Sequence, residues 1–240
     1  MAHADFKTGL KGGFLIALSA APFGLLFGAV AVDNGLTMFE AVLMSATLYA
    51  GASQLVGIEL FGQKIEAWLV ILSIFAVNFR HILYSAAMVR PLAHWSLGRK
   101  LIAFFFLVDP QFAESVRRNE NGEKISFSWY MGFALAIYFP WLITTVLGVM
   151  FGKLIGDPRA LGFDVLLPIY FMGMVLGFRK RQNFYPVMLA SGIGAIVAFH
   201  VVGSPWHVSL GAFAGILVAV LLPPAPSHIK NIEEAGEQSL

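Results

Sequence analysis

The sequence predicts an all-α polytopic membrane protein: a bundle of about six to eight transmembrane helices with a broken or re-entrant element in its first half. Three observations carry this expectation. The 240 residues are 58% hydrophobic and only 12% charged, where a soluble domain carries about 25% charged residues, and the mean hydropathy is +0.75. Apolar runs recur along the chain near the length that a bilayer demands, about 20 residues per helix. Charged and amide side chains cut into those runs most densely at Asn78, Arg80 and His81. The chain reads as one transmembrane domain over 1–226, followed by a short polar cytoplasmic tail over 227–240.

The first run, 12–32, follows Lys7 and Lys11 and resembles a signal peptide. It continues past Pro22 to Val32, long enough to span, so it reads as an uncleaved first helix with its N-terminus inside. Further runs fall at 41–58, 65–89, 101–108, 129–151, 163–178, 184–202 and 206–222. Trp68, Trp129 and Trp206 lie near run ends, where interfacial aromatics belong. The positive-inside rule orders the second half: Arg117, Arg118 and Lys124 inside, then Arg179, Lys180 and Arg181 inside again, with the loop 203–205 outside and the tail from Pro223 inside. The first half admits two readings. Either 41–58 and 65–89 are full spans and 101–116 crosses back, or one segment is re-entrant and 90–128 lies wholly inside. Both place the N- and C-termini in the cytoplasm, and both leave irregular backbone at depth, tolerated only where protein or a wet cavity covers it.

Small residues recur at four-residue spacing: Gly24 and Gly28, Gly148 and Gly152, Gly173 and Gly177, Gly211 and Gly215. Lipid offers helices no hydrophobic drive to associate, so close backbone approach must supply it. Pro22, Pro140 and Pro168 each remove an intrahelical hydrogen bond. They mark either kinks or helix breaks, and Gly51 is a further candidate break.

The polar residues at depth suggest a site. Arg80 lies ten residues before Arg90, about 15 Å along a helix, too deep to snorkel simply. A charge there costs about 2.5–3.5 kcal/mol on insertion scales, so a partner or a wet cavity is expected. Helical spacing puts Asn78, His81 and Ser85 on one face, with Arg80 and Tyr84 adjacent; a break at Asn78 would instead leave Arg80 at a loop end. Asp109 and Asp164 are the candidate counter-ions or proton carriers, with His81. Asp164 reads equally as a helix N-cap. In Tyr49-Ala-Gly-Ala-Ser-Gln54, small residues precede Ser53 and Gln54, two neutral hydrogen-bonding groups at depth. That segment is either a packing seam or a half-helix terminus able to meet an anionic group. Without cysteine, disulfides, thiol catalysis and thiolate metal sites are excluded. No metal-ligand spacing, phosphate-binding loop or dinucleotide fingerprint is present, so no metal and no cofactor is expected.

Four stretches, Pro22-Phe-Gly-Leu-Leu-Phe-Gly28, Tyr49-Ala-Gly-Ala-Ser-Gln54, Asn78-Phe-Arg-His-Ile-Leu-Tyr84 and Gly162-Phe-Asp164 with Pro168, follow in one order. Together they resemble the AzlC-type branched-chain amino acid permeases, the large subunit of two-component exporters, over about residues 9–222. The resemblance implies inner-membrane export of valine, leucine, isoleucine or methionine with a small AzlD-like membrane partner. Where the family often carries Thr-Asp-Glu, this chain has Val108-Asp109-Pro110, so a second carboxylate there is lost.

The leading functional expectation is therefore a secondary transporter and not an enzyme. Arg80 would meet the substrate carboxylate, helped by Ser53, Gln54, Asn78 and Tyr84; Asp109 or Asp164 would meet the ammonium, and Asp109, Asp164 or His81 would carry a coupling proton. One methylene is worth only about 1–3 kcal/mol in an apolar pocket, so selectivity among branched side chains should be broad. Two alternatives stand beside it. One is a permease subunit driven by a separate ATPase, for which 90–128 is long enough to hold a coupling helix. The other is an intramembrane hydrolase using Ser53 and His81, which lacks a nucleophile-elbow sequence.

Overall fold

The computed structural model describes residues 2–62, 66–155, 169, 172–173, 175–203 and 206–222. The tail 227–240, Asp164 and Pro168 lie outside them. Among the described residues the chain is helical, and it divides into two compact units, 1–174 and 175–240. Among the described residues, four helical segments are long and apolar enough to cross a membrane: His3–Asp33, Val70–Met88, Phe127–Gly152 and Phe184–Val201. The protein is a polytopic all-α membrane protein.

The first unit is built on a pair of long helices, α1 (Ala2–Asp33) and α7 (Phe127–Ile155). They pack in parallel, residue n of α1 beside residue n + 120 of α7. Gly9 sits on the Trp129 backbone, Gly13 on Phe133, Gly24 on Thr144 and Gly28 on Gly148. Each glycine lacks the Cβ that would hold the backbones apart, which is what helix association in lipid requires. Both helices run uninterrupted through their prolines, Pro22 and Pro140. Pro22 is thus no helix break: one missing hydrogen bond does not end a helix braced along its length by its neighbour.

Between these two helices the chain dips into the membrane twice without crossing. Helices α2 (Met38–Leu48) and α3 (Gly51–Gly62) have 11 and 12 residues, about 17 and 18 Å at 1.5 Å per residue, against a hydrocarbon core of about 30 Å. Thr37 and Glu40 cap α2 reciprocally, the Thr37 N–H donating to the Glu40 carboxylate at 2.8 Å. Tyr49 then turns left-handed at φ 44° and ends the helix. The two arms run antiparallel: Ala41 and Ile58 join one cluster with Phe27 and Ala31, Met44 reaches Gly57, and Gln54 bonds Ser45. The tip stands beside Phe23, in the second half of α1, and Trp141, at the middle of α7.

From the same side, α4 (Ala67–Met88) crosses unbroken through Asn78, so Arg80 is not at a loop end. It lies antiparallel to α3, with Ile74 at Gly57 and Asn78 at Ser53. The second hairpin enters from the opposite side. In α5 (Leu97–Phe105) and α6 (Asp109–Glu120), Arg99 lies over Phe127 and Arg118 over Trp129, at the start of α7. Its tip, Phe106, packs on Tyr138 three turns further along. Two tyrosines of α7 brace the hairpins. Tyr138 donates to the Ala46 carbonyl in the last turn of α2 at 3.0 Å, and Tyr130 to that of Ala103 in the last turn of α5 at 2.8 Å. Each satisfies a carbonyl left over at a helix C-terminus.

Of the two topologies open from sequence, the one with 41–58 and 101–116 as full spans is not found. Both segments are re-entrant, because each pair of arms returns to the level of α7 from which it started. Charge follows this layout. Lys7, Arg90, Arg99, Lys100, Arg117, Arg118 and Lys124 lie at the α1 N-terminal end, and Asp33, Glu40 and Glu66 at the other. Outward faces carry exposed Leu15, Leu18, Ile71, Phe75 and Ile143, a surface suited to lipid.

Re-entrance makes a direct prediction in a chain with no native cysteine. Asn34→Cys and Glu66→Cys are expected to react with an impermeant maleimide from one side of the membrane, and His94→Cys and Gly122→Cys from the other. Labelling of positions 34 and 66 from opposite sides would make α2–α3 a span.

In the second unit, α8 (Phe184–Val201) and α9 (Trp206–Leu221) form an antiparallel pair. Gly194 faces Ala214, Gly211 faces Ala195, and Ser191 donates to the Gly211 carbonyl at 2.8 Å.

Candidate functional site at the meeting of two hairpin tips

The two tips meet half-way along the α1–α7 pair. The Tyr49 ring lies 6.4 Å from that of Phe105 and 6.2 Å from that of Phe106, and makes an edge contact with Tyr138 at 4.9 Å. Backbone direction follows from the hairpins. Helices α2 and α5 bring their C-termini to this level, while α3 and α6 start there with their N-termini, the positive ends of their dipoles.

Asp109 is the first residue of α6, directly before Pro110, where proline's missing N–H costs nothing and a carboxylate is favoured. Arg80, on α4, reaches it: Nη1 lies 3.2 Å from Oδ1, with the two side chains 22% and 14% exposed. Tyr84, one turn after Arg80, donates its hydroxyl to the same oxygen at 2.7 Å. Its ring stacks on Phe112 at 4.2 Å, which holds the phenol in place. Asp109 is thereby clamped between a guanidinium and a phenol, the shielded arrangement that an intramembrane ion pair needs. His81 is a neighbour, its ring edge-on to Tyr84 at 5.7 Å.

A second polar cluster secures the first hairpin. Ser53 Oγ donates to Asn78 Oδ1. Gln54 accepts the Ala50 N–H at 3.2 Å and donates to Ser45 Oγ at 3.0 Å, and Ser45 meets Thr145 of α7 at 2.9 Å. Gln54, Ser45 and Thr145 are fully buried. The Gln54 amide therefore replaces water for a backbone N–H freed at the break, as buried donors require.

Between the tips lies a cavity of about 70 Å³. Tyr49, Gly51 and Ala52 wall it from one hairpin, Val108, Asp109 and Pro110 from the other, and Phe23, Ile137 and Trp141 from the central pair. Arg80 is not among its lining residues. Gly51, the first residue of α3, is needed for space, because a Cβ there would meet the Trp141 ring.

Arg80 and Asp109 are thus joined, with Tyr84 and His81 beside them. Ser53, Gln54 and Asn78 form the adjoining cluster, and Gly51 stands at the hairpin tip. Pro22 lies within the continuous α1; Asp164 and Pro168 lie outside the described residues. Sequence reasoning missed Tyr49, Ser45, Trp141 and Thr145. It also missed Gln111 and Ser115 of α6, fully buried, with Gln111's amide atoms and Ser115's hydroxyl unpartnered among the described residues. The positions of Gln111 and Ser115 were legible only as polar residues one turn apart after Asp109.

The model of the family described as AzlC protein matches residues 15–155, the segment holding the central pair and both hairpins. The chain is 29% identical over 226 residues to an inner membrane protein, YgaZ, of Escherichia coli (strain K12), covering 91% of each. It is 31% identical over 219 residues to an uncharacterized membrane protein of Archaeoglobus fulgidus, covering 91% of this chain and 94% of that one. No solved structure matches.

Proposed function

The chain belongs to the AzlC protein family, and from that premise we propose that it is a secondary transporter exporting branched-chain or other hydrophobic amino acids, of the valine, leucine, isoleucine and methionine class. It works in a bacterial inner membrane, driven by the proton motive force, with a small AzlD-like membrane subunit. The basic end of the first unit faces the cytoplasm by the positive-inside rule, which puts the N-terminus inside; the C-terminal tail is assigned to the same side.

One observation carries this reading. Two half-membrane hairpins enter from opposite sides and meet at the half-buried Arg80–Asp109 pair. Discontinuous helices placing polar groups at mid-depth are how secondary transporters build substrate sites, and ionisable pairs inside the membrane mark substrate or proton paths. Asp109 is the acceptor for a proton or for an ammonium. Arg80 is its cationic partner in the state seen here and meets the substrate carboxylate once Asp109 is occupied.

The experiment is a leucine-dipeptide challenge in cells lacking other exporters. Expression of this chain with its small partner is expected to lower intracellular leucine. A protonophore should abolish the effect and ATP depletion at constant proton motive force should spare it. Unchanged leucine sinks the proposal, and loss on ATP depletion alone moves the chain to an ATPase-driven permease.

A further inference from the structure

One flank of the α1–α7 seam carries a groove of about 650 Å³. Small residues set it back: a Cβ on Gly13 would come within 2.8 Å of the Cβ of Ala136, which lines the groove. Exposed Leu10 and Phe14 of α1 and Phe139 of α7 stand around it. Its lining is apolar except for two side chains, Lys7 and Lys11. Both are exposed, and neither ammonium has an ion pair among the described residues. Asp5, the nearest acid on α1, instead accepts a hydrogen bond from the Ser126 hydroxyl at 2.8 Å. The apolar run of α1 begins at residue 12, which puts Lys11 at the edge of the hydrocarbon and Lys7 one turn outside it. The inner end of the groove is Pro140 of α7, beside residue 20 of α1 in the register of the pair. That is about 12 Å into a hydrocarbon layer whose midplane lies about 15 Å from its edge. The groove therefore runs from headgroup level through most of one leaflet and stops there.

These dimensions and charges select an occupant. A transmembrane helix of another subunit would need an apolar face through both leaflets, about 30 Å, and this groove serves only one. Two cations at its outer end call for an anion, and the apolar length below them calls for hydrocarbon. We propose that the groove is a binding site for an anionic phospholipid of the leaflet at the basic end, with one acyl chain lying between Phe14 and Phe139 and the headgroup phosphate held by Lys7 and Lys11. The lysine stems cover apolar wall while their ammoniums reach the headgroup level, the snorkelling that long basic side chains favour. Net charge decides among lipids. A zwitterionic headgroup brings its own cation to the two lysines, whereas an anionic one brings only the phosphate charge, and basic residues at a membrane surface attract anionic lipid in this way. The bound chain also bears on the centre of the first unit. Phe139 and Pro140 lie between Tyr138 and Trp141, so the chain packs against the stretch of α7 that seats the first hairpin. The site stands on geometry and charge alone and requires no particular cargo.

The test uses the full chain with its small partner in phosphatidylcholine nanodiscs. Phe14→Trp places an indole at the rim of the groove, and the emission of the parent protein with its five tryptophans is subtracted. Phosphatidylglycerol brominated in mid-chain is expected to quench this reporter saturably. Half-quenching should come at a mole fraction about 10-fold lower than with phosphatidylcholine brominated at the same carbons, the scale that two cations at a membrane surface supply. Lys7→Gln/Lys11→Gln changes only exposed side chains and should erase the difference, while Lys7→Arg/Lys11→Arg should keep it. Equal quenching by the two lipids, or a preference that survives the double glutamine variant, overturns the proposal and leaves an ordinary lipid-facing surface. A reporter that neither lipid quenches overturns it as well, and makes the groove an interface covered by protein.

Discussion

Arg80→Gln is expected to abolish leucine export and to lower the thermal stability of the protein. Asp109 would keep its Tyr84 hydrogen bond but lose the guanidinium 3.2 Å away. Removing one partner of this half-buried pair is expected to cost about 1–3 kcal/mol, between the values for exposed and for fully buried pairs, because the charge left behind stays uncompensated. At this chain length that corresponds to a melting point lower by about 2–12 °C. A loss of export by the single variant is therefore ambiguous between site and scaffold. The double variant Arg80→Gln/Asp109→Asn separates them. It removes both charges and leaves neutral groups able to hydrogen bond, so stability and membrane abundance should return towards wild type. Export should remain absent, because neither the proton acceptor nor the cation is restored. A double variant that exports leucine normally would make the pair a structural staple and remove it from the mechanism.

The spans of the first unit were legible, and the hairpins only in part, for a physical reason. The lengths of α1, α4 and α7 are written in apolar runs that a bilayer selects directly. The run 41–58 has the same appearance, since Tyr49 and its small neighbours suit a helix as well as a turn. What makes it re-entrant is tertiary: Ala41 and Ile58 both return to Phe27 and Ala31, and Tyr138 takes up the carbonyl left at Ala46. The second hairpin announced itself better. Pro110 after Asp109 is a helix-start signal, and the run 101–108 is too short to span. Arg80 demanded a partner on energetic grounds, which narrowed the choice to two acids; only proximity selects Asp109. The Ser45–Thr145 contact joins residues 100 apart in sequence, and Trp141 sits in an apolar helix where nothing local distinguishes it from packing. Polar groups at depth could be recognised, but their pairing could not.

Gly28 carries the other large expected effect. A Cβ on Gly28 would run into the Thr145 carbonyl, the Val149 nitrogen and the Gly148 Cα, and one on Gly148 into the Leu25 carbonyl. These are backbone atoms in two long helices, which cannot swing aside as a side chain can. Gly28→Ala is therefore expected to cost about 1–3 kcal/mol by overpacking, and Gly28→Leu to prevent accumulation of folded protein. Gly12 is the internal control. Its Cβ would meet only the Phe133 ring at 3.5 and 3.6 Å, an ordinary contact, so Gly12→Ala should be neutral or stabilising by up to about 1 kcal/mol through helix propensity. The contrast bears on function as well as stability. Gly24, one turn before Gly28, lies against Thr144, and Phe23 and Trp141 face each other's helices across the same seam. Forcing α1 and α7 apart near Gly28 widens the wall against which both hairpin tips are seated. Export by Gly28→Ala should then fall more than its folded abundance, measured by thermal denaturation beside dipeptide-challenge export. Equal tolerance of alanine at positions 12 and 28 would show that α1 and α7 do not pack in this register, and the shared depth of the two tips would fall with it.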